Sequence, residues 1–183
     1  MNPNSYLSLI SFNMCPPDKV NPSPYAKTAK EWDKAGENGQ PAGCYYDNDP
    51  SNGEKYGKLY NWYAVNDPRG LAPEGWKIPS DEDWTTLTDF LGGEDVAGTK
   101  MKSISGWEDN GNGTNESGFS VLPGGYRNDN GSFYYIGKNG YWWSSTELSA
   151  DDAWFRGLIY VSGSVSSHGN YKDKGFSVRC LRD

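Results

Sequence analysis

Past Gly118 the apolar positions fall into short aromatic-rich runs, separated by Gly, Asn, Asp and Ser, with little helical periodicity. Runs of this kind predict β-strands, here over 119–122, 133–136, 141–145, 153–161, 164–167 and 176–181. The first half reads differently. Ser80-Asp81-Glu82-Asp83 precedes Trp84, Leu87 and Phe90 or Leu91 at three-to-four spacing, and Gly92-Gly93 follows. That pattern predicts a helix capped by Ser80, with acids in its first turn, running to about residue 91. Leu59, Trp62, Tyr63 and Asn66 predict a second helix, ended by Asp67-Pro68-Arg69-Gly70, and a third is expected over 25–34. A short one over 94–101 should turn Val96 and Met101 inward. Helices first and strands later predict an α+β class, with helices mainly in the N-terminal half and an antiparallel sheet with loops in the C-terminal half.

Strand alternation sharpens this picture. Neighbours on a strand point to opposite faces, so at least one of Trp142 and Trp143 belongs to the core. Alternation also separates Trp154, Arg156, Leu158 and Tyr160 from Phe155, Gly157, Ile159 and Val161, and the second set reads as facing outward.

With 183 residues the chain is long enough for one sizeable core, and a single domain over 1–183 is expected, its first 40 residues an N-terminal extension. The Pro-rich stretch 15–24 reads as a linker, and Trp32 as the start of packing. Eight Trp and thirteen Tyr mean that rings supply much of the buried area. A net charge of -7 argues against nucleic acid as a partner, since it would repel a polyanion. No stretch approaches the roughly 20 apolar residues of a membrane helix, so membrane insertion is not expected. Residues 6–15 are mildly apolar but carry no basic region and no small-residue cleavage site, and are not read as a signal peptide. Cys15, Cys44 and Cys180 form an odd set that allows at most one intrachain bridge and leaves a thiol.

Searches for catalytic chemistry fail. The single histidine, His168, sits in Ser166-Ser167-His168-Gly169-Asn170 without a second histidine, and reads as a solvent-facing loop residue rather than a triad member or metal ligand. Phosphate-loop, dinucleotide and zincin motifs are absent. The oxygen-rich run from Glu108 to Glu116 is bent by glycines, which suits a structural calcium, although its acids do not follow the EF-hand order. No other cofactor is expected.

Several ordered blocks carry a resemblance. They are Cys44-Tyr45-Tyr46-Asp47-Asn48-Asp49, Tyr56-Gly57-Lys58-Leu59-Tyr60-Asn61-Trp62-Tyr63-Ala64-Val65, Pro73-Glu74-Gly75-Trp76-Lys77-Ile78-Pro79-Ser80 and Trp84. Three more follow: Gly118-Phe119-Ser120-Val121-Leu122-Pro123-Gly124-Gly125-Tyr126-Arg127, Tyr141-Trp142-Trp143-Ser144-Ser145-Thr146-Glu147 and Gly175-Phe176-Ser177-Val178-Arg179-Cys180. This order resembles the Fibrobacter succinogenes major paralogous domain family, whose members are similar to the C-type-lectin-like fold and to its formylglycine-generating branch. The resemblance implies a C-type-lectin-like fold. It also raises an oxidase as the enzymatic alternative, which would need a cysteine pair holding copper, whereas Cys180 is the only cysteine of the final strands. Ala72 stands where the family often has Cys, which leaves any inherited disulfide pairing open.

The ending is also similar to variable proteins of diversity-generating retroelements, which display residues diversified at template adenines. Asn codons of the form AAY, altered at both adenines, yield Asp, Ser, Gly, His, Tyr, Ala, Val, Ile, Leu or Phe among others, but never Lys, Glu, Gln, Met or Trp. Over 148–173 only Trp154 and Lys172 fall outside that alphabet. The resemblance therefore implies a non-enzymatic ligand-recognition domain of a bacterial or phage surface, extracellular or on a particle. Its binding face for a protein or carbohydrate would lie at 148–173, with Ser149, Asp151, Asp152, Phe155, Ser162, His168, Asn170 and Tyr171 exposed and Phe155 and Tyr171 as anchors. A structural module of a larger surface protein is the remaining class.

Overall fold

The computed structural model describes residues 12–14 and 24–182. In chain order its elements are β1 (Phe12–Met14), α1 (Ala29–Glu37), β2 (Gly43–Cys44), α2 (Pro50–Tyr56), β3 (Leu59–Tyr60), α3 (Trp62–Val65), β4 (Trp76–Lys77), α4 (Asp81–Phe90) and α5 (Glu94–Met101). Then come β5 (Gly124–Arg127), β6 (Phe133–Ile136), β7 (Asn139–Glu147), β8 (Asp152–Ile159), β9 (Ser166–Tyr171) and β10 (Arg179–Arg182). The class is α+β, as the order of patterns predicts. A five-stranded sheet runs β6-β5-β7-β8-β9. It is mixed, because β5 and β7 meet in parallel at Gly125 and Gly140 while its other pairs are antiparallel. A three-stranded sheet, β1-β10-β4, joins residues from both ends of the chain, and β2 pairs with β3.

The helix at Ser80 forms for the reasons its sequence gives. Ser80 Oγ accepts from the Asp83 amide at 3.1 Å while the Asp83 carboxylate accepts from the Ser80 amide at 2.9 Å, a reciprocal cap. Its stripe, Trp84 and Leu87, packs with Met101, Phe119, Trp142 and Leu158 in the first core cluster. The Trp84 and Phe119 rings meet edge to face at 5.6 Å. Phe176 belongs elsewhere. It lies across the sheet in a second cluster with Trp62, Ala64, Trp143 and Phe155, its ring centroid 4.4 Å from that of Trp143. Both tryptophans of the pair are thus core, one on each face of β7, because this sheet is covered on both sides.

Other expectations are corrected. Residues 59–60 are strand, since Tyr60 exchanges two backbone hydrogen bonds with Phe176, and only Trp62–Val65 is helical, capped by the Asn61 side chain. In α5, Met101 is buried as expected but Val96 is exposed. Ala97 and Met101, four residues apart, face inward together with Gly98, which places Val96 about 100° off that stripe. Gly98 lies against the backbone of the turn between β8 and β9, where an added Cβ would come within 2.6 Å of the Gly163 and Ser164 carbonyls. The run 119–122 makes one bridge, Val121 to Lys102, instead of a strand, and β5 and α2 have no counterpart in the predicted elements.

From Pro24 onward the first forty residues are part of the packed structure rather than an appendage. Trp32 of α1 is 1% exposed in a third cluster with Ala42, Cys44, Tyr46 and Leu59. The rest of the linker reading, 15–23, and the signal-peptide reading of 6–15, fall largely outside the described residues. Arg127 locks this cluster to the sheet. Its Nε donates to the Gly131 carbonyl at 3.1 Å and Nη1 to the Ala26 carbonyl at 2.8 Å, and the guanidinium lies 4.8 Å from both the Trp32 and Phe133 ring centroids.

Cys180 is disulfide-bonded and Cys44 is a free thiol with no exposed surface. Burial pushes the Cys44 thiol up to about 11 from an ordinary 9.0. Its protonated form is therefore favoured by the fold. The stability this contributes is complete below about pH 9 and is lost as pH rises through about 11. Cys44 is expected to resist iodoacetamide in the native state and to alkylate on unfolding, read by peptide mass mapping; rapid native-state labelling would contradict its placement.

Candidate binding face

Register decides what each face of the five-stranded sheet presents. Trp143 lies opposite Phe155, which lies opposite His168, and Tyr141 lies opposite Gly157, which lies opposite Ser166. Side chains paired across strands share a face. One end of this face, at Trp143 and Ala153, packs with α3 in the second cluster. Toward the start of β7 the cover ends and tyrosines take over.

Tyr126 of β5 is the hub. Its ring centroid lies 5.5 Å from Tyr134, 6.0 Å from Tyr135, 5.4 Å from Tyr141 and 6.1 Å from Phe176. Tyr141 continues the row to Phe155 at 5.9 Å, and Phe155 to His168 at 6.3 Å. Tyr134 and Tyr135 are 39% and 51% exposed, and Tyr126 and Tyr141 are half-buried. Adjacent strand residues should diverge, yet Tyr134 and Tyr135 both reach Tyr126. The cause is a left-handed backbone at Tyr135, φ +65°, which ends the alternation. A bulky side chain seldom adopts that conformation, and such strain clusters at binding and catalytic sites. The Tyr141 hydroxyl accepts from the Asn139 side-chain amide at 2.7 Å. Burial raises the pKa of the Tyr126 and Tyr141 hydroxyls, so both are neutral donors at physiological pH.

The residues expected at 148–173 do not form one patch. Ser149, Asp151, Asp152 and Tyr171 gather at one end of the β8–β9 hairpin. There Asp152 pairs with Tyr171, and Ser149 Oγ accepts from the Asp151 and Asp152 amides at 3.2 and 3.0 Å. His168 and Asn170 lie on the tyrosine side of β9, opposite Phe155 and Ala153, and His168 is exposed on a strand rather than in a loop. Ser162 sits in the turn beyond the other end of β8, roughly 23 Å away at 3.3 Å per residue. Its Oγ accepts from the Ser164 amide at 3.0 Å, and its carbonyl from Lys102 Nζ at 2.7 Å. Tyr171 is 57% exposed, as an anchor requires.

Phe155 is a correction. It is 6% exposed, packed between the Phe176 and Trp143 rings, because its register puts it on the face that α3 covers. Arg156 and Leu158 are buried on the opposite face, where Arg156 pairs with Asp81 at 2.5 Å and ties β8 to α4. Only part of 148–173 is therefore free to vary. Lys172, one of the two residues outside the adenine alphabet, is held by packing. Its buried ammonium donates to Glu147 at 2.5 Å and to the Ser149 and Ala150 carbonyls at 2.8 and 2.5 Å, fixing the loop above the Trp62 ring.

Sequence reasoning missed Tyr126, Tyr134, Tyr135 and Tyr141. The available signal was Phe133-Tyr134-Tyr135-Ile136, a strand with rings at consecutive positions and no polar face.

Among the described residues no three His, Cys, Asp or Glu side chains are grouped to hold a metal ion. In the calcium candidate three of the side-chain donors already have partners outside the run. The Asn112 side-chain oxygen accepts from the Trp107 amide, Asn115 from the Ser120 amide, and Glu108 pairs with Lys138. Of the thiols an oxidase would need, Cys44 is buried and protonated and Cys180 is bridged.

Compared with known families, residues 13–182 match the model of the Fibrobacter succinogenes major domain. The chain belongs to this family. The match reaches back to β1, well before Cys44, where the recognisable blocks begin, so the Fibrobacter succinogenes major domain here includes α1 and its third core cluster. No curated protein and no solved structure matches the chain.

Proposed function

We propose that this member of the family is a non-enzymatic ligand-recognition domain of C-type-lectin-like fold, which takes a protein or carbohydrate on the tyrosine face. The single observation that carries this reading is the unbroken row from Tyr135 through Tyr126 and Tyr141 to His168, partly open to solvent on a rigid sheet. Tyrosines give large contact area with few rotamers to immobilise, and their hydroxyls add hydrogen bonds to sugars or peptide groups. The helices-first order and the family's likeness to lectin-like domains support the fold. A surface or particle location follows from that role. Diversification by a retroelement fits the exposed residues Ser149, Asp151, His168 and Tyr171, with Asp152, Ser162 and Asn170 half-buried. Neighbouring DNA with a near-repeat carrying adenines at those codons, beside a reverse transcriptase gene, is the check on that part.

The binding test uses two combined variants on glycan and peptide arrays, with melting curves alongside. Tyr134→Ala, Tyr135→Ala and His168→Ala together are expected to weaken an identified ligand by at least about 30-fold, the scale of an interface hot spot, while the protein stays folded. Ser149→Ala, Asp151→Ala and Tyr171→Ala together are expected to cost less. If the second variant loses binding and the first does not, the site is the hairpin end and the tyrosine face is structural.

A further inference from the structure

A second site shares no residue with the tyrosine face. Between α2 and the start of β10 is a cavity of 320 Å³, lined by Tyr45, Tyr56, Tyr60, Trp142, Ser177 and Arg179, with Lys55 and Lys58 also in its wall. That volume is in the range of small-molecule pockets. We propose that this cavity binds a singly charged aromatic carboxylate, with Arg179 gripping the acid and the surrounding rings holding its planar body.

Arg179 carries the argument. It is 7% exposed, and its Nε has no hydrogen-bond partner among the described residues. Its guanidinium carbon lies 5.4 Å from the Phe119 ring centroid, a contact that uses a ring face and none of its N–H groups. Loss of solvent pulls its pKa down to about 10, which registers how unfavourably the bare cation is placed. A buried charge without a counter-charge is costly, and a buried donor without a partner calls for a ligand. β10 alternation agrees: Arg179 shares its side with Leu181 of the first core cluster, toward Trp142.

The chemistry of the wall narrows the class. Three cations and one carboxylate, Glu54, line the cavity of a chain whose net charge is -7, so the local field favours an anion. Only Arg179 among the cations is buried. Lys55 is exposed, and Lys55 and Lys58 lie over the Tyr56 and Tyr45 rings at 4.8 and 5.5 Å. One buried guanidinium matches one carboxylate, whose two oxygens fit its planar fork. A doubly charged phosphate would need a second buried cation. Four rings in the wall select a flat apolar body over an aliphatic one.

Calorimetric titration of the whole protein with 2-naphthoate and its neutral isostere 2-naphthamide tests this, with inorganic phosphate as competitor. The acid is expected to bind saturably and at least about tenfold tighter than the amide, as a charge-assisted bond implies. Phosphate should not displace it. In Arg179→Gln the acid-to-amide ratio should fall to about one, whereas Tyr56→Ala should weaken both probes alike. If Arg179→Gln does not fold, the wild-type ratio and Tyr56→Ala decide the matter alone. Equal binding of acid and amide, displacement by phosphate, or no saturable binding of the acid would overturn the assignment. None of these results depends on the tyrosine face, so the two proposals stand or fall separately.

Discussion

Trp84→Ala is expected to destabilise the protein by about 3 to 5 kcal/mol, the cost of a fully buried large-to-small change that leaves a cavity. Trp84 has no exposed surface and sits where α4, Phe119 and the Trp142 face of the five-stranded sheet converge. The walls are themselves rings and a capped helix, so collapse into the void would be limited. For a chain of this length the loss corresponds to a fall of roughly 6 to 20 °C in melting temperature. Calorimetry checks this, and a Trp84→Ala protein melting at the wild-type temperature would remove Trp84 from the core. Trp84→Phe, which keeps most of the edge-to-face contact, should recover more than half of the loss.

Arg127→Met is expected to cost about 3 kcal/mol, although it replaces a buried charge by an apolar side chain of similar length. The guanidinium is the hydrogen-bond donor to the Ala26 and Gly131 carbonyls, both on buried residues. Removing it strands two acceptors away from water and empties the space between the Trp32 and Phe133 rings of its cation. Arg127→Lys keeps the charge without the fork, so it should restore less than half. Urea denaturation at constant slope gives the measurement; a midpoint unchanged from wild type would show that α1 and β5 are not joined through this residue.

How much of this could be read in advance depended on where the information lay. The helix at Ser80 was legible because cap, stripe and stop are all local. β6 and most of β7 and β8 were legible because rings and Gly punctuation bound them. α2 was not, since it buries no residue and so has no stripe. β5 begins Gly-Gly, and its pairing with β6 and β7, not its side chains, makes it a strand. Leu59 and Trp62 have helical spacing, but Tyr60 is claimed by Phe176, more than a hundred residues later, and a window on the sequence cannot see that bond. The candidate site divides in the same way. His168, Tyr171 and the Ser149–Asp152 turn were visible in the composition. The outward assignment of Phe155 failed because a sheet buried on both faces has apolar residues in both alternating sets. The tyrosine row depends on one left-handed residue, which alternation rules assume away.

Synthesis imposes an order on this molecule that its finished form conceals. The middle strand of the three-stranded sheet is β10, whose partners are residues 12–14 and 76–77. At about 5 to 20 residues per second, a ribosome delivers β10 at least roughly 8 s after β1. Until then β1 and β4 have no strand to join them, and the disulfide at Cys180 cannot form. The small sheet therefore cannot close until β10 emerges, which makes its closure a late event of synthesis. A chaperone or a pausing site acting before residue 179 would govern yield without touching the stability of the product.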